Sequence, residues 1–523
     1  MKTYKIFILL ISLFLFGCGD FLEPKSKSEF VPKDANSLNE LLLGEAYYKN
    51  NVDGIGFFLG LLDDDVDGAP YQEYAIDQDR DARMWLAVFG WNSDMYKVIE
   101  DNGLRNADIY FKFYELILGA NAIMDYSDDI ANIDHNLDNV VAQALTLRAY
   151  YYLQLVNWFG VPYNEDKEAL GVPLKLNSGK EEKPIERHTV AEVYNQIVED
   201  LTEAIRLYEL LEPERQWKPN YRTSLPLAQL LLSRTYLYME EWEKAAAYAE
   251  KVMMNSNFKL LDLNSVESTK WYSPEQNSYV EIPTYLDYHN YANNPESIWL
   301  YGNIVDYTKW LFNNKVNTNE EQHSFFMASE SLMNSFDTTD LRANRYITRS
   351  WYEIDGELMP QAFGKMNVGE DTNYFAPKKT INTFARSMRL SEAYLNYCEA
   401  QVKLGKTAEA TKALNALRKC RFSAKDFVEY TAENTAEMLQ FVKDERRREL
   451  CFEDHRWFDL RRWGMPEIKH RWYTEEHTVN EYTLQKKDLG YVLPLPTQAT
   501  EANPNLKQNP KAPARSPKVI NVN

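Results

Sequence analysis

Asp63-Asp64-Asp65-Val66-Asp67-Gly68 sets Asp63, Asp65 and Asp67 at the Asp-x-Asp-x-Asp-Gly spacing that opens a calcium loop. Such a loop needs a bidentate Glu at its twelfth position; here that residue is Tyr74, with Glu73 one place early. The same carboxylates could instead solvate a turn or cap a helix, and no metal is assigned to them. A second grouping is aromatic. Residues 271–310 hold Trp271, Tyr272, Tyr279, Tyr285, Tyr288, Tyr291, Trp299, Tyr301, Tyr307 and Trp310, with Asn290, Asn293 and Asn294 among them. Aromatic faces flanked by amides suit the C–H faces and hydroxyl edges of sugar rings. Trp271, Tyr272, Tyr288 and Tyr291 are the ligand-facing candidates, while Trp299 and Tyr301 sit in a strand-like run and are expected in the core. The Trp85…Trp91-Asn92 segment is a further candidate. His455 and Asp459 could suggest acid–base chemistry, but no nucleophile or metal cluster accompanies them, so ion pairing with the surrounding arginines is the expected role. No catalytic residue is assigned.

The N-terminus carries different chemistry. Lys2 and Lys5 precede an apolar run from Ile6 to Phe16, followed by Leu15-Phe16-Gly17-Cys18. A basic start, a short apolar core and a small residue before the cut read as a secretory signal over residues 1–17, too short to span a bilayer. Cys directly after Leu-x-Gly resembles the bacterial lipobox, which makes Cys18 the expected lipidated first residue. Each buried acyl CH₂ contributes about 0.8 kcal/mol, so several chains hold firmly. The remaining cysteines, Cys398, Cys420 and Cys451, are an odd number in helix-like, apolar contexts, so no disulfide framework is implied. A formal charge of −20 disfavours nucleic acid as a partner and disfavours a basic membrane-binding face.

These residues must be positioned by elements the pattern makes visible. Gly19 to Asn36 is polar, with Pro24 and Pro32, and reads as a tether over 18–36. Ser37 with Glu40 forms the capping-box spacing before the apolar Leu38–Tyr48 run, so folding is expected from Ser37. Leu145, Ala149, Tyr152, Leu153 and Val156 share one helical stripe in Val140–Gly160, which Gly160 and Pro162 stop. Thr189 and Glu192 form another capping box before an amphipathic helix through Tyr208. Leu225–Met254 reads as two helices broken at Glu240-Glu241, and the pattern around Tyr397, Gly405 and Ala410 repeats that helix–turn–helix logic. Such tetratricopeptide-like units cannot bury their apolar faces alone, and these are not tandem, so any stack must join distant segments. From Asn255 to Arg386 the helical period fades among scattered prolines, marking irregular structure with short strands such as Ser297–Tyr301. Long loops of this kind commonly carry function. Beyond, a helix from about Asn434 places Met438, Val442, Glu445, Glu449 and Phe452 on one face. Carboxylates on a buried stripe need partners, and nearby arginines supply them. The expected fold is mainly α: a helical N-terminal part over 37–254, a loop-rich region over 255–386 and a C-terminal part over 387–523.

Further motifs carry a family resemblance. Cys18-Gly19-Asp20-Phe21-Leu22-Glu23-Pro24, Leu147-Arg148-Ala149-Tyr150-Tyr151-Tyr152 with Phe159-Gly160-Val161-Pro162, and Arg389 to Ala400 appear in order. The run Glu445 to Gly464 and Asn505-Leu506-Lys507-Gln508-Asn509-Pro510 complete it. Together they resemble the SusD/RagB family of outer-membrane nutrient-binding lipoproteins. Cys398 stands where that family usually has a small residue. The resemblance implies a tetratricopeptide-like scaffold with a loop-rich ligand face, a surface-exposed lipid-anchored location and a SusC-like TonB-dependent β-barrel transporter as partner. It implies capture of oligosaccharides, or of peptides in some members, without catalysis or cofactor. The motifs are scaffold motifs and transfer fold and partner better than ligand.

Two other classes remain open on sequence. An envelope assembly scaffold would place recognition on the helical groove, whereas the aromatic concentration favours the loop region. A surface glycosidase needs two carboxylates flanking a cleft; acidic residues abound, but no motif marks such a pair.

Overall fold

The computed structural model describes residues 30–47, 59–69, 80–102, 109–181, 183–266, 269–273, 278–282, 294–303, 326–354, 357–364, 384–475 and 478–521. Its helices of seven residues or more are α1 (Ala35–Leu41), α2 (Arg80–Phe89), α3 (Met95–Asp101), α4 (Ile109–Ser127), α5 (Asn136–Phe159) and α6 (Val190–Glu209). They continue as α7 (Leu225–Tyr238), α8 (Trp242–Met253), α9 (Leu390–Lys403), α10 (Thr407–Lys419), α11 (Thr435–Leu450) and α12 (Arg456–Arg462). The fold is mainly α and tetratricopeptide-like. Helices α4 to α8 pack successively against one another, α8 packs on α9, and α9 on α10 and α11. The α8–α9 contact joins segments far apart in sequence, as the non-tandem repeats required.

Several helix ends follow the local chemistry. Thr189 Oγ1 accepts from Glu192 N at 3.2 Å, and Glu192 Oε2 accepts from Thr189 N at 2.7 Å, closing the expected box. The first helix begins two residues earlier than Ser37. Asp34 is its cap, accepting from Ser37 N at 2.8 Å, so Ser37 is the reciprocating third residue rather than the cap. The α7–α8 break falls at Glu240, where φ is +61°, and the equivalent α9–α10 turn uses Gly405 at φ +75°. Gly119 on α4 lets a helical turn at Leu42–Ala46 approach closely: a Cβ there would lie 2.1 Å from the Glu45 carbonyl oxygen.

Helix α5 is buried on every side over its last eighteen residues, not on one stripe only. Its consecutive tyrosines hold three different neighbours. Tyr150 Oη meets Tyr301 Oη at 3.0 Å, Tyr151 Oη donates to the Ala46 carbonyl at 2.7 Å, and Tyr152 Oη donates to the Lys175 carbonyl at 2.7 Å. Arg148 forms a two-pronged pair with Asp200 at 2.8 and 2.6 Å.

Residues 255–386 supply strands. Strand β1 (Val66–Gly68) lies upstream; β2 (Thr269–Ser273) pairs β3 (Ser278–Ile282), and β4 (Ser297–Asn303) pairs β8 (Phe384–Arg389). Between them β5 (Phe326–Ala328) pairs β1, and β6 (Thr348–Ile354) pairs β7 (Glu357–Gly364). Towards the C-terminus β9 (Ile468–Glu475), β10 (Thr478–Leu484) and β11 (Lys518–Asn521) form a sheet in the order β11-β10-β9. All these pairings are antiparallel.

A buried ion network fastens the loop-rich region to the helices. Met438, Val442, Glu445 and Glu449 are fully buried on α11, as their spacing implied. Phe452 is also buried but lies past the helix end at φ +60°. Glu449 accepts from Arg342 Nη1 at 3.0 Å, from Arg421 Nε and Nη2 at 2.9 Å each, and from Arg389. Arg389 also reaches Glu296 at 3.0 Å and Glu453 at 2.8 and 2.9 Å, while Arg421 reaches Glu296 at 2.6 Å. Asp459 joins Arg446 at 2.7 Å and Arg462 at 2.8 Å, so it is an ion-pair partner as expected. Cys398, Cys420 and Cys451 are free thiols; Cys398 and Cys451 are buried, Cys420 half-buried.

Candidate functional site

The Asp63–Gly68 turn runs into β1, beside β9. Three of its four carboxylates pair with guanidiniums. Asp64 takes Arg456 Nε and Nη2 at 2.6 and 2.8 Å, Asp65 takes Arg447 Nε at 2.7 Å, and Asp67 takes Arg471 N and Nε at 2.7 Å each. Asp63 Oδ1 accepts from Asp65 N at 3.0 Å. Burial pushes Asp64 up, but Arg456 and Arg447 outweigh it and bring the carboxyl down to about 2. Asp63 goes the other way, raised by burial and then by Asp65 and Asp64. Arginines from distant segments supply the positive charge that faces this turn. Among the described residues no group of acidic, His or Cys side chains is arranged to hold a metal ion. Glu73 and Tyr74 lie outside the described residues.

Next to this turn, His470 on β9 is sandwiched between Phe89 and Trp91, with ring centroids 4.2 and 4.1 Å away. Its Nδ1 lies 2.7 Å from the Phe89 carbonyl and its Nε2 2.8 Å from the Asp63 carbonyl. Trp91 adopts φ +50° and donates its indole N–H to the Leu62 carbonyl at 3.0 Å. Trp85 and Trp91 are 2% and 1% exposed, so neither is a ligand platform. The left-handed residue turns the second indole inward, where period counting gave no warning. Asn92 remains exposed, its Oδ1 accepting from Asp94 N at 2.8 Å.

Trp271 and Tyr272 lie in β2, opposite Val280 and Tyr279 of β3. Tyr288 and Tyr291 lie outside the described residues. Trp299 and Tyr301 are core residues as expected, stacked at 4.1 Å, with Trp299 Nε1 donating to the Tyr221 carbonyl at 2.7 Å. Asn294 is buried too, accepting from Glu296 N at 3.1 Å, which removes it from the amides available to a ligand.

Sequence reasoning missed a cavity of about 570 Å³ beside β1 and β9, lined by Asp64, Asp67, Ser329, Glu330, Lys469 and Arg471 among others. Lys469 pairs with Glu481 at 3.1 Å on its rim. Its walls come from segments hundreds of residues apart, so no local motif could signal it.

Comparison with known proteins bears on this arrangement. A family profile described as "Starch-binding associating with outer membrane" matches residues 20–237, and one described as "SusD family" matches residues 361–511. The chain belongs to the SusD family. SusD-like protein P25 of Formosa agariphila is 20% identical, covering 97% of this chain and 98% of its own length. SusD-like protein P2 of the same organism is 22% identical, with 97% and 99% covered. Among solved structures, a SusD superfamily protein from Bacteroides thetaiotaomicron aligns with TM-score 0.66 at 23% identity, covering 91% of this chain and all of that one. A SusD-like carbohydrate binding protein from Bacteroides vulgatus aligns with TM-score 0.62 at 19% identity, with 91% and 98% covered. These structures share the SusD fold. The two SusD profiles take in the Arg148 helix, α9 and the Arg-rich run through α12, while the aromatic-rich residues 271–310 lie between the matched spans. No helix among the described residues is long and apolar enough to cross a membrane.

Proposed function

We propose that this SusD-family chain is a surface-exposed lipoprotein, anchored through Cys18 by a tether that ends at the Asp34 cap of α1. It captures oligosaccharides and passes them to a SusC-like TonB-dependent β-barrel transporter. Its role is binding, not catalysis. Family membership across both ends of the chain carries this reading; the signal and lipobox at residues 1–18 support the anchor. The ligand is assigned to the loop-rich face, with Trp271 and Tyr272 on the β2–β3 hairpin, Tyr288, Tyr291 and exposed Asn92 as contacts. The polar cavity beside β1 and β9, which takes Ser329, Glu330 and Asn334 from the loop-rich region, supports that region as the ligand side.

The test is a glycan and peptide array probed with a soluble form lacking Cys18, followed by calorimetry on the best ligand. Glycan binding that weakens in Trp271→Ala or Tyr291→Ala supports the reading. Preference for peptides, or affinity unchanged in both variants, removes this patch. Release of reducing ends during incubation argues for a hydrolase instead. Fatty-acid labelling of the full-length chain and recovery of a barrel partner test anchor and transporter separately.

A further inference from the structure

A smaller pocket, of about 280 Å³, opens where the α7–α8 turn meets α9, α11 and the end of α12. None of its lining residues comes from the loop-rich region. Trp242 and Trp463 line it, and the ammoniums of Lys403 and Lys443 stand 5.3 and 5.0 Å from the centroids of those rings. Arg462 lies 4.7 Å from the Trp463 centroid.

The carboxylates of this pocket are occupied. Glu399 accepts both Arg462 Nη atoms, at 2.6 and 2.7 Å, and the Trp463 indole N–H at 3.1 Å. Burial raises its pKa, but Arg462 outweighs burial and brings it to about 2, so Glu399 is ionised and saturated. Glu240 accepts from Asn164 Nδ2 at 3.1 Å. Lys403 and Lys443 form no ion pair among the described residues. Among the lining side chains three cations stand beside two carboxylates, and Arg462 is also paired with Asp459 at 2.8 Å, which leaves the two ammoniums as the cations without an ion pair. Burial presses half-buried Lys443 below the ordinary lysine range; Glu399 pulls it back up, and Arg462 and Lys403 push it down again. An anion beside the ammoniums would favour their charged forms and offset the cost of that burial.

We propose that this pocket binds one uronate unit, its carboxylate between Lys403 and Lys443 and its ring against the tryptophan walls. The volume is just under the roughly 300–1,000 Å³ of pockets for drug-sized ligands, which fits one acidic sugar rather than an extended chain. Aromatic walls beside cations select a ring that carries a charge over a linear acid or a neutral sugar. The site is independent of the loop face and stands whatever ligand that face takes.

Calorimetry on the mature chain without lipid tests it, using glucuronate, glucose and glutarate as probes. Glucuronate is expected to bind saturably and to weaken at least tenfold in Lys403→Met and in Lys443→Met, which keep the methylene packing and remove the charge. Glucose and glutarate are expected to bind at least tenfold more weakly than glucuronate. Lys403 is exposed, so Lys403→Met leaves the fold intact even if Lys443→Met does not. Absence of glucuronate binding, equal binding of glucose or glutarate, or unchanged affinity in Lys403→Met would overturn the assignment.

Discussion

Glu449→Gln probes the ion network that fastens strands to helices. Glu449 is fully buried and takes hydrogen bonds from Arg342, Arg389 and Arg421. Breaking a buried pair costs about 3–5 kcal/mol. Gln keeps one acceptor oxygen, and Glu296, Glu453 and Asp340, the last paired with Arg342 at 2.7 Å, still neutralise the arginines, which argues for the lower end. Its amide nitrogen, however, would face a guanidinium, donor to donor. The expected loss is therefore about 3 kcal/mol out of a total stability of about 5–15 kcal/mol. Equilibrium urea unfolding at pH 7, followed by circular dichroism and tryptophan fluorescence, measures it. Burial alone would raise the Glu449 pKa, but Arg421 and Arg389 bring it well below the usual range. A carboxyl depressed in the folded state stabilises above its unfolded pKa, about 4.3 for Glu, and loses that contribution as pH falls towards the folded value. The gap between wild type and variant should thus be full at pH 7 and narrow below about pH 4.3. A loss under about 1 kcal/mol, or a gap that does not narrow with acid, refutes the reasoning.

Thr189→Ala removes the reciprocal cap of α6 and should cost about 1 kcal/mol, read from the urea midpoint, with no change in any ligand affinity. Trp91→Ala should lower stability by about 3–5 kcal/mol because it empties a core site; glycan affinity per folded molecule should stay the same, and a specific loss would restore Trp91 to the site. Asp63→Asn should raise the thermal midpoint at pH 7. Asp63 holds its proton more tightly folded than unfolded, so its ionisation costs stability above about pH 4; the gain should vanish as pH falls to that value, and a lowered midpoint at pH 7 would count against this account.

The helices were legible because their determinants are local. The Thr189–Glu192 box, the break at Glu240-Glu241 and the Met438-to-Glu449 stripe all follow from spacing within a few residues. The carboxylates on that stripe even announced that arginines must meet them, though not which ones. The candidate site was legible only in part. Trp85 and Trp91 carry the same composition as a sugar platform, yet both are buried, and Trp91 stacks on His470 of β9, almost four hundred residues away. The spacing of Asp63, Asp65 and Asp67 matches an ion loop, yet Arg447 and Arg471, from equally remote positions, take Asp65 and Asp67. Asp34 displaced Ser37 as the cap because its carboxylate, three residues earlier, accepts from the Ser37 backbone N–H and so starts the helix at Ala35.

Those remote arginines impose an order on biogenesis. Ribosomes deliver Asp64, Asp65 and Asp67 early, but the guanidiniums that neutralise them emerge only after most of the polypeptide has been made. Until then Asp65 and Asp67, buried in the finished fold, and half-buried Asp64 lack those partners, and burying them unpaired would be costly. Maturation of the first hundred residues thus waits for the last hundred, and a nascent chain released early would keep its N-terminal portion open to proteases.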